Sequence, residues 1–159
     1  MERRSPHPSQ APHPWHPYDA TICTFAATGP LPALAIDFRA PLAPDAREAL
    51  RARLGGPFSI VTACNPSFLG AGVSSDASNR LAHARLVARI GSIGIPFLEA
   101  TGHAAAGGHE ELGLAFALVG EAARAIAIEF GQDAYFEFDG ERFAIAPACR
   151  ADLGRAPLP

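Results

Sequence analysis

The run Phe58–Ala63 (FSIVTA) lies between Gly55-Gly56-Pro57 and Asn65-Pro66. A short continuous apolar run bounded by turn residues reads as a strand buried on both faces. Such a strand needs a neighbour on each side and a layer above and below it. The chain is therefore expected to build a sheet with helices packed on it.

The flanking pattern supplies those elements. Ala20–Ala27 and Ala33–Phe38 read as strands separated by a Gly29-Pro30 turn. A short helix follows, with Asp45 and Glu48 placed as a capping box, Gly55 as its stop, and Ala46, Ala49, Leu50 and Leu54 on one stripe. A longer helix is expected from Ser75 or Asp76 to Gly91 or Gly94, with Ala82, Leu86, Ile90 and Ile93 as its core stripe. Pro96–Thr101 reads as another strand, and the Gly-rich segment Gly102–Gly108 breaks the regular pattern. Leu112–Val119 is a second internal strand, and Glu121–Phe130 a helix stopped by Gly131 with Ala122, Ile126 and Phe130 on one face. Asp139-Gly140 joins Ala134–Phe138 to Arg142–Ala146 as a hairpin. The expected class is α+β, a single domain with a mixed sheet and about three helices in the order ββαβαββαββ. Its span is residues 18–147, between a disordered Pro/His-rich tail at 1–17 and a flexible tail at 148–159.

Composition narrows the chemistry. The net charge of −3 gives no electrostatic footprint for phosphate neutralisation, so no nucleic acid is expected as a partner. No apolar run approaches the ~18 residues of a membrane span, so no membrane partner is expected. The opening segment MERRSPHPSQAPHPWHPY has no apolar core of ~7–15 residues, and the cytoplasm is the expected compartment. All 13 basic residues are arginine, which excludes Schiff-base lysine chemistry and a P-loop lysine. Cys23, Cys64 and Cys149 form no CxxC pair, so neither a zinc ribbon nor a disulfide framework is indicated.

Four stretches resemble a known family. They are Val61-Thr62-Ala63-Cys64-Asn65-Pro66; Asn79-Arg80 with the helix through Leu86; Gly102 followed by His109-Glu110-Glu111-Leu112-Gly113; and Phe130-Gly131-Gln132-Asp133-Ala134-Tyr135-Phe136 leading to Phe138-Asp139-Gly140. Tyr18-Asp19-Ala20-Thr21 fits the same pattern more loosely. In order and spacing the chain resembles a bacterial family catalogued as domain of unknown function 3293. In the third stretch this chain departs from the family, carrying Ala104-Ala105-Ala106 and Leu112 where its members usually show aromatic or proline residues. The resemblance implies a single α+β domain and brings no activity with it.

The candidate ligand-binding residues are Asn65, Asn79, Glu111 and Gln132. Asn65 stands where the buried strand ends, to meet a ligand or to cap the strand through an Asx turn. Asn79 and His83, four apart, share one helix face. Glu111 precedes an apolar strand, where a fixed carboxylate needs a hydrogen-bond partner or a raised pKa. Gln132 can orient a ligand or lock the corner after Gly131. Glu111 and His83 are the weak catalytic candidates, and whether the chain is an enzyme stays open. Cys64 reads as packing. His103 and His109 flank the Gly-rich segment, but HEE is not the HExxH of a zincin, so no metal site is assigned and the cofactor is unknown. Two functions follow: a site for a small polar ligand such as a nucleotide-like metabolite, or a non-catalytic protein-interaction module whose polar residues are structural. The oligomeric state is open.

Overall fold

The computed structural model describes residues 18, 20–65, 75–105, 107, 110–150 and 154–159. The tail expected at 1–17, with Pro66 and His109, lies outside the described residues. Eight strands form one sheet: β1 (Thr21–Phe25), β2 (Leu34–Asp37), β3 (Phe58–Thr62), β4 (Phe97–Ala104), β5 (Glu110–Phe116), β6 (Ala134–Phe138), β7 (Phe143–Pro147) and β8 (Ala156–Pro157). The helices are α1 (Pro44–Leu54), α2 (Asp76–Ile93) and α3 (Gly120–Glu129).

The α+β class and three helices are as expected. The sheet order is β2-β1-β4-β5-β3-β6-β7-β8, and every pairing of these strands is antiparallel, so the ladders are less mixed than the sequence reading allowed. β3 lies between β5 and β6, with Ile60 opposite Ala115 and Phe136. Four of its five residues are buried, as the apolar run demands.

The sheet is curled, which follows from its ring contacts. Neighbouring strands sit about 4.8 Å apart, so β1 and β3, with two strands between them, would lie roughly 14 Å apart in a flat sheet. Yet the Phe25 and Phe58 ring centroids are 5.9 Å apart. Phe38, just past β2, meets Phe136 of β6 at 4.6 Å across an even wider sheet interval. Gly113 records the same curl, because a Cβ there would sit 2.8 Å from the Ala100 carbonyl oxygen and 3.0 Å from that of Val61. No side chain fits that approach.

Inside the curl lie Cys23, Phe25, Ile36, Phe38, Phe58, Ile60, Phe138, Phe143 and Ile145, joined by Leu50 and Leu54 of α1. Outside it, Val61, Leu114, Phe116, Tyr135 and Ala146 pack under Leu86 and Ile90 of α2 and Ala123, Ile126 and Ala127 of α3. α1 covers one end of the curl. Its Arg51 Nε donates to the Gly140 carbonyl at 2.8 Å, and Arg47 pairs with Glu141 at 2.8 Å, both at the β6–β7 turn. Arg53 reaches the Pro32 carbonyl in the β1–β2 connection.

Several local expectations are corrected. The N-cap of α1 is Ala43, without a side-chain cap bond and with Pro44 opening the helix, so Asp45 and Glu48 are not a capping box. Glu48 instead pairs with Arg51 at 2.8 Å. Proline in the first turn already lacks an N–H to be capped, which removes part of the need. In α2, Ser75 caps through the Ser78 N–H and Gly94 stops the helix, but Ile93 is exposed and His83 is buried in the stripe instead. In α3 the buried positions are Ala123, Ile126 and Ala127, and Ala122 is exposed. β4 runs on through Gly102, His103 and Ala104, because the β1 and β5 ladders on either side extend that far. The segment expected to be a flexible tail returns as β8, with Leu158 buried and Arg155 paired to Glu137.

Candidate functional site

At the end of the curl opposite α1, the strands leave a hollow. β1, β3, β4, β5 and β6 contribute Thr21 and Cys23, Ile60 and Thr62, Ala100 and Gly102, Glu111, and Ala134 and Phe136 to its wall. The cavity measures about 520 Å³, within the ~300–1,000 Å³ common for small-molecule sites, which favour the mouths of curled or closed sheets. Tyr18 lines it too, with its ring edge-on to Phe136 at 6.2 Å.

The chain turns sharply where β3 runs out. Asn65 has φ of 48°, a left-handed backbone that asparagine tolerates better than most residues. Its backbone N–H donates to Asn79 Oδ1 at 3.0 Å, and Asn79 Nδ2 donates back to Asn65 Oδ1 at 3.3 Å. The amide nitrogen of Asn65 then donates to Glu111 Oε1 at 3.1 Å. A helix start, a strand end and the neighbouring strand are thereby tied into one chain of hydrogen bonds.

Gln132 closes the other side of the same turn. Gly131 takes φ of 69°, the positive value expected just past a helix end. Gln132 Nε2 then donates to the carbonyls of Cys64 at 3.0 Å and Phe130 at 3.2 Å, and its Oε1 accepts from Thr62 Oγ1 at 2.9 Å.

The sequence candidates are thus brought together in part. Asn65, Glu111 and Gln132 line the cavity, and Asn79 supports it from one bond behind. Glu111 lies inside β5, not ahead of it, opposite Gly102 of β4. His83 is not in the wall; it pairs through Nε2 with Glu99 Oε2 at 2.9 Å, and its Nδ1 is buried without a partner. His83 and Glu111 therefore do not form an acid–base pair. His103 sits in β4 opposite Glu110 and lines the cavity. Among the described residues no group of three His, Cys, Asp or Glu side chains is arranged to hold a metal ion.

Two neighbours escaped attention in the sequence. Thr62 is the hydroxyl partner of Gln132, and Tyr18 is the aromatic wall; only their places in the family-like stretches marked them. Burial and the wall carboxylates Glu111 and Asp133 act on the titratable groups of the cavity. Burial, reinforced by Asp133 and Glu111, pushes the Tyr18 phenol up to about 12. Burial, reinforced by Glu111, pushes the Cys64 thiol up to about 11, and burial alone pushes Cys23 up to about 12. Both thiols stay protonated at neutral pH, the reverse of the lowered pKa that makes a cysteine nucleophilic. Cys64 instead lends its S–H to the Leu112 carbonyl at 3.7 Å.

A family model described as protein of unknown function (DUF3293) matches residues 61–135. Over those residues the chain is similar to that family. No curated protein and no solved structure matches. The DUF3293 segment contains Thr62, Asn65, Asn79, Glu111 and Gln132, the whole hydrogen-bonded turn. It leaves out α1, β7 and the aromatic cluster at the other end of the curl. No helix among the described residues is long and apolar enough to cross a membrane.

Proposed function

We propose that the open end of the curled sheet binds a small polar ligand, such as a nucleotide-like metabolite. One observation carries this reading: a cavity of about 520 Å³ whose wall holds Asn65, Glu111 and Gln132 in positions set by hydrogen bonds. Polar groups already held in place cost little to align when a ligand enters. The test is a thermal-shift screen of wild type and Glu111→Ala against nucleotides, sugar phosphates and divalent metal ions. A ligand present at ~100 times its Kd stabilises the native state by about 2.7 kcal/mol. A shift in wild type that is lost in a folded Glu111→Ala variant supports the site. The absence of any shift in wild type removes it.

A second reading has its own support. The Gln132 amide bonds to Thr62, Cys64 and Phe130, groups of the turn itself. That is how a residue behaves in a non-catalytic interaction module whose polar side chains only shape corners. Under that reading Gln132→Ala destabilises the fold and changes no ligand response.

A further inference from the structure

We infer that the hollow receives a neutral sugar ring with neighbouring hydroxyls, gripped by Asp133 and Thr21. The inference rests on the ligand-binding reading above and names the chemistry the site selects. The polar groups of the wall fall into two kinds. Asn65, Glu111 and Gln132 are already bonded within the protein, to one another or to the turn, and set the shape of the rim. The Asp133 carboxylate and the Thr21 hydroxyl line the hollow as well, and neither has a hydrogen-bond or ion-pair partner among the described residues. A ligand can satisfy such groups without breaking a bond that the fold already makes.

Both residues are placed to reach it. The Asp133 carbonyl accepts from the Ala148 N–H at 2.8 Å, which pins the backbone just ahead of β6. The Asp133 carboxylate is felt inside the hollow, where it helps burial to keep the Tyr18 phenol neutral. Thr21 stands two residues before Cys23, which faces the interior of the curl, so the two share that face of β1. Thr21 Cγ2 lies 3.5 Å from the place a Cβ on Gly102 would take.

Donor and acceptor capacity then selects the ligand. A carboxylate only accepts, whereas a hydroxyl both donates and accepts. The ligand group must give a proton to Asp133 and be able to exchange roles with Thr21. A hydroxyl does both, and two neighbouring hydroxyls can donate to the two oxygens of one carboxylate. A phosphate or carboxylate has no such proton at neutral pH, and an amidinium has no lone pair to offer. His103 on the same wall donates and accepts when neutral and donates when charged, so a hydroxyl suits either form. The half-buried Phe136 ring and the bare Gly102 backbone offer a surface to the apolar C–H face of a sugar. A free sugar and the ribose of a nucleoside share this chemistry.

Four probes separate the parts: methyl riboside, adenosine, deoxyadenosine (which lacks one of the neighbouring hydroxyls) and adenine. Each is titrated into the full chain by calorimetry at neutral pH. Asp133→Asn, Thr21→Val and Gly102→Val accompany wild type, each checked for folding by its melting curve. Valine at position 102 fills the hollow from a strand position, because a Cβ there meets only Thr21 Cγ2. Adenosine is expected to bind, deoxyadenosine about tenfold more weakly, and adenine not at all, with all binding lost in Gly102→Val. Binding by methyl riboside makes a free sugar sufficient, and binding by adenosine without it requires the nucleoside. Asp133→Asn should weaken the bound probe about tenfold or more, the loss that follows removal of a hydrogen bond to a charged group, and Thr21→Val about threefold. Should Asp133→Asn fail to fold, Thr21→Val and the deoxyadenosine comparison carry the test. Adenine or deoxyadenosine binding as tightly as adenosine, and lost in Gly102→Val, overturns the sugar assignment and leaves the ligand site standing. Binding that survives Gly102→Val, or is unchanged in both Asp133→Asn and Thr21→Val, overturns it by putting the probe elsewhere. No binding by any of the four also overturns it, and the site itself falls only if the thermal-shift screen above is silent too.

Discussion

β3 begins at one end of the curled sheet and finishes at the other, and its two ends are built by different physics. At the start, Phe58 packs against Phe138 at 5.0 Å and against Phe25 and Phe143 at 5.9 Å, under the cover of α1. At the finish, Thr62 and Asn65 are held by amides and a carboxylate beside a hollow. The closed end draws its stability from apolar area and ring packing, which are roughly additive and non-directional. The open end depends on hydrogen bonds that each need a specific partner, and a lost partner leaves a buried polar group behind. A fold can therefore be stable at one end and preorganised at the other, with the same strand linking the two.

The largest expected effect tests the closed end. Phe58→Ala removes a ring from the centre of the aromatic cluster and should cost about 3–5 kcal/mol, measured by urea denaturation. A cost near 1 kcal/mol would break the contrast between the ends. At the open end, Gln132→Ala strips the Thr62 hydroxyl and the Cys64 and Phe130 carbonyls of their partner, and should cost about 2 kcal/mol.

Backbone strain gives a finer test. Asn65→Ala and Asn65→Gly both delete the side-chain bonds to Asn79 and Glu111 and keep the backbone N–H bond to Asn79, but only alanine resists φ of 48°. Asn65→Ala should therefore be less stable than Asn65→Gly by about 1 kcal/mol, the usual penalty for a left-handed residue with a Cβ. Equal stabilities would mean that the turn relaxes once its side chain is gone.

The last expectation needs no mutation. The chain has two tyrosines, and burial pushes Tyr18 and Tyr135 each up to about 12 from the ordinary 10.0. Absorbance at the tyrosinate band should show no step near pH 10 while the protein is folded. The folded state keeps these protons while the unfolded chain loses them. The stabilisation is thus fully present below about pH 10 and is lost as pH rises towards about 12. A step near 10 from one tyrosine would show that its ring is in water.

Much of this molecule is legible one residue after another. FSIVT declares a buried strand because neither of its faces offers a charge, and the structure buries nearly all of it. Asp139-Gly140 declares a hairpin, and β6 and β7 are joined there by a short connection in which Gly140 takes a positive φ of 103°. Gly55 and Gly94 end their helices with φ of 76°, which only local chemistry had to supply. The polar residues at element ends were visible too, because turns and caps leave their mark within a few positions.

Only the tertiary structure decided which of these pieces meet. Glu111 lies 46 positions from Asn65, and no local period couples them. Their bond exists because β5 pairs with β3 and puts Gly113 opposite Thr62. His83 looked equivalent to Asn79 on its helix, yet its partner is Glu99 and it takes no part in the wall. Likewise β4 reads as ending before Gly102, until the ladders of β1 and β5 draw it on to Ala104. Periodicity and turn chemistry act over a few residues and are written in the chain itself. Curl, register and the hollow they enclose arise from strand pairing across the whole sheet, and appear only when distant segments are packed together.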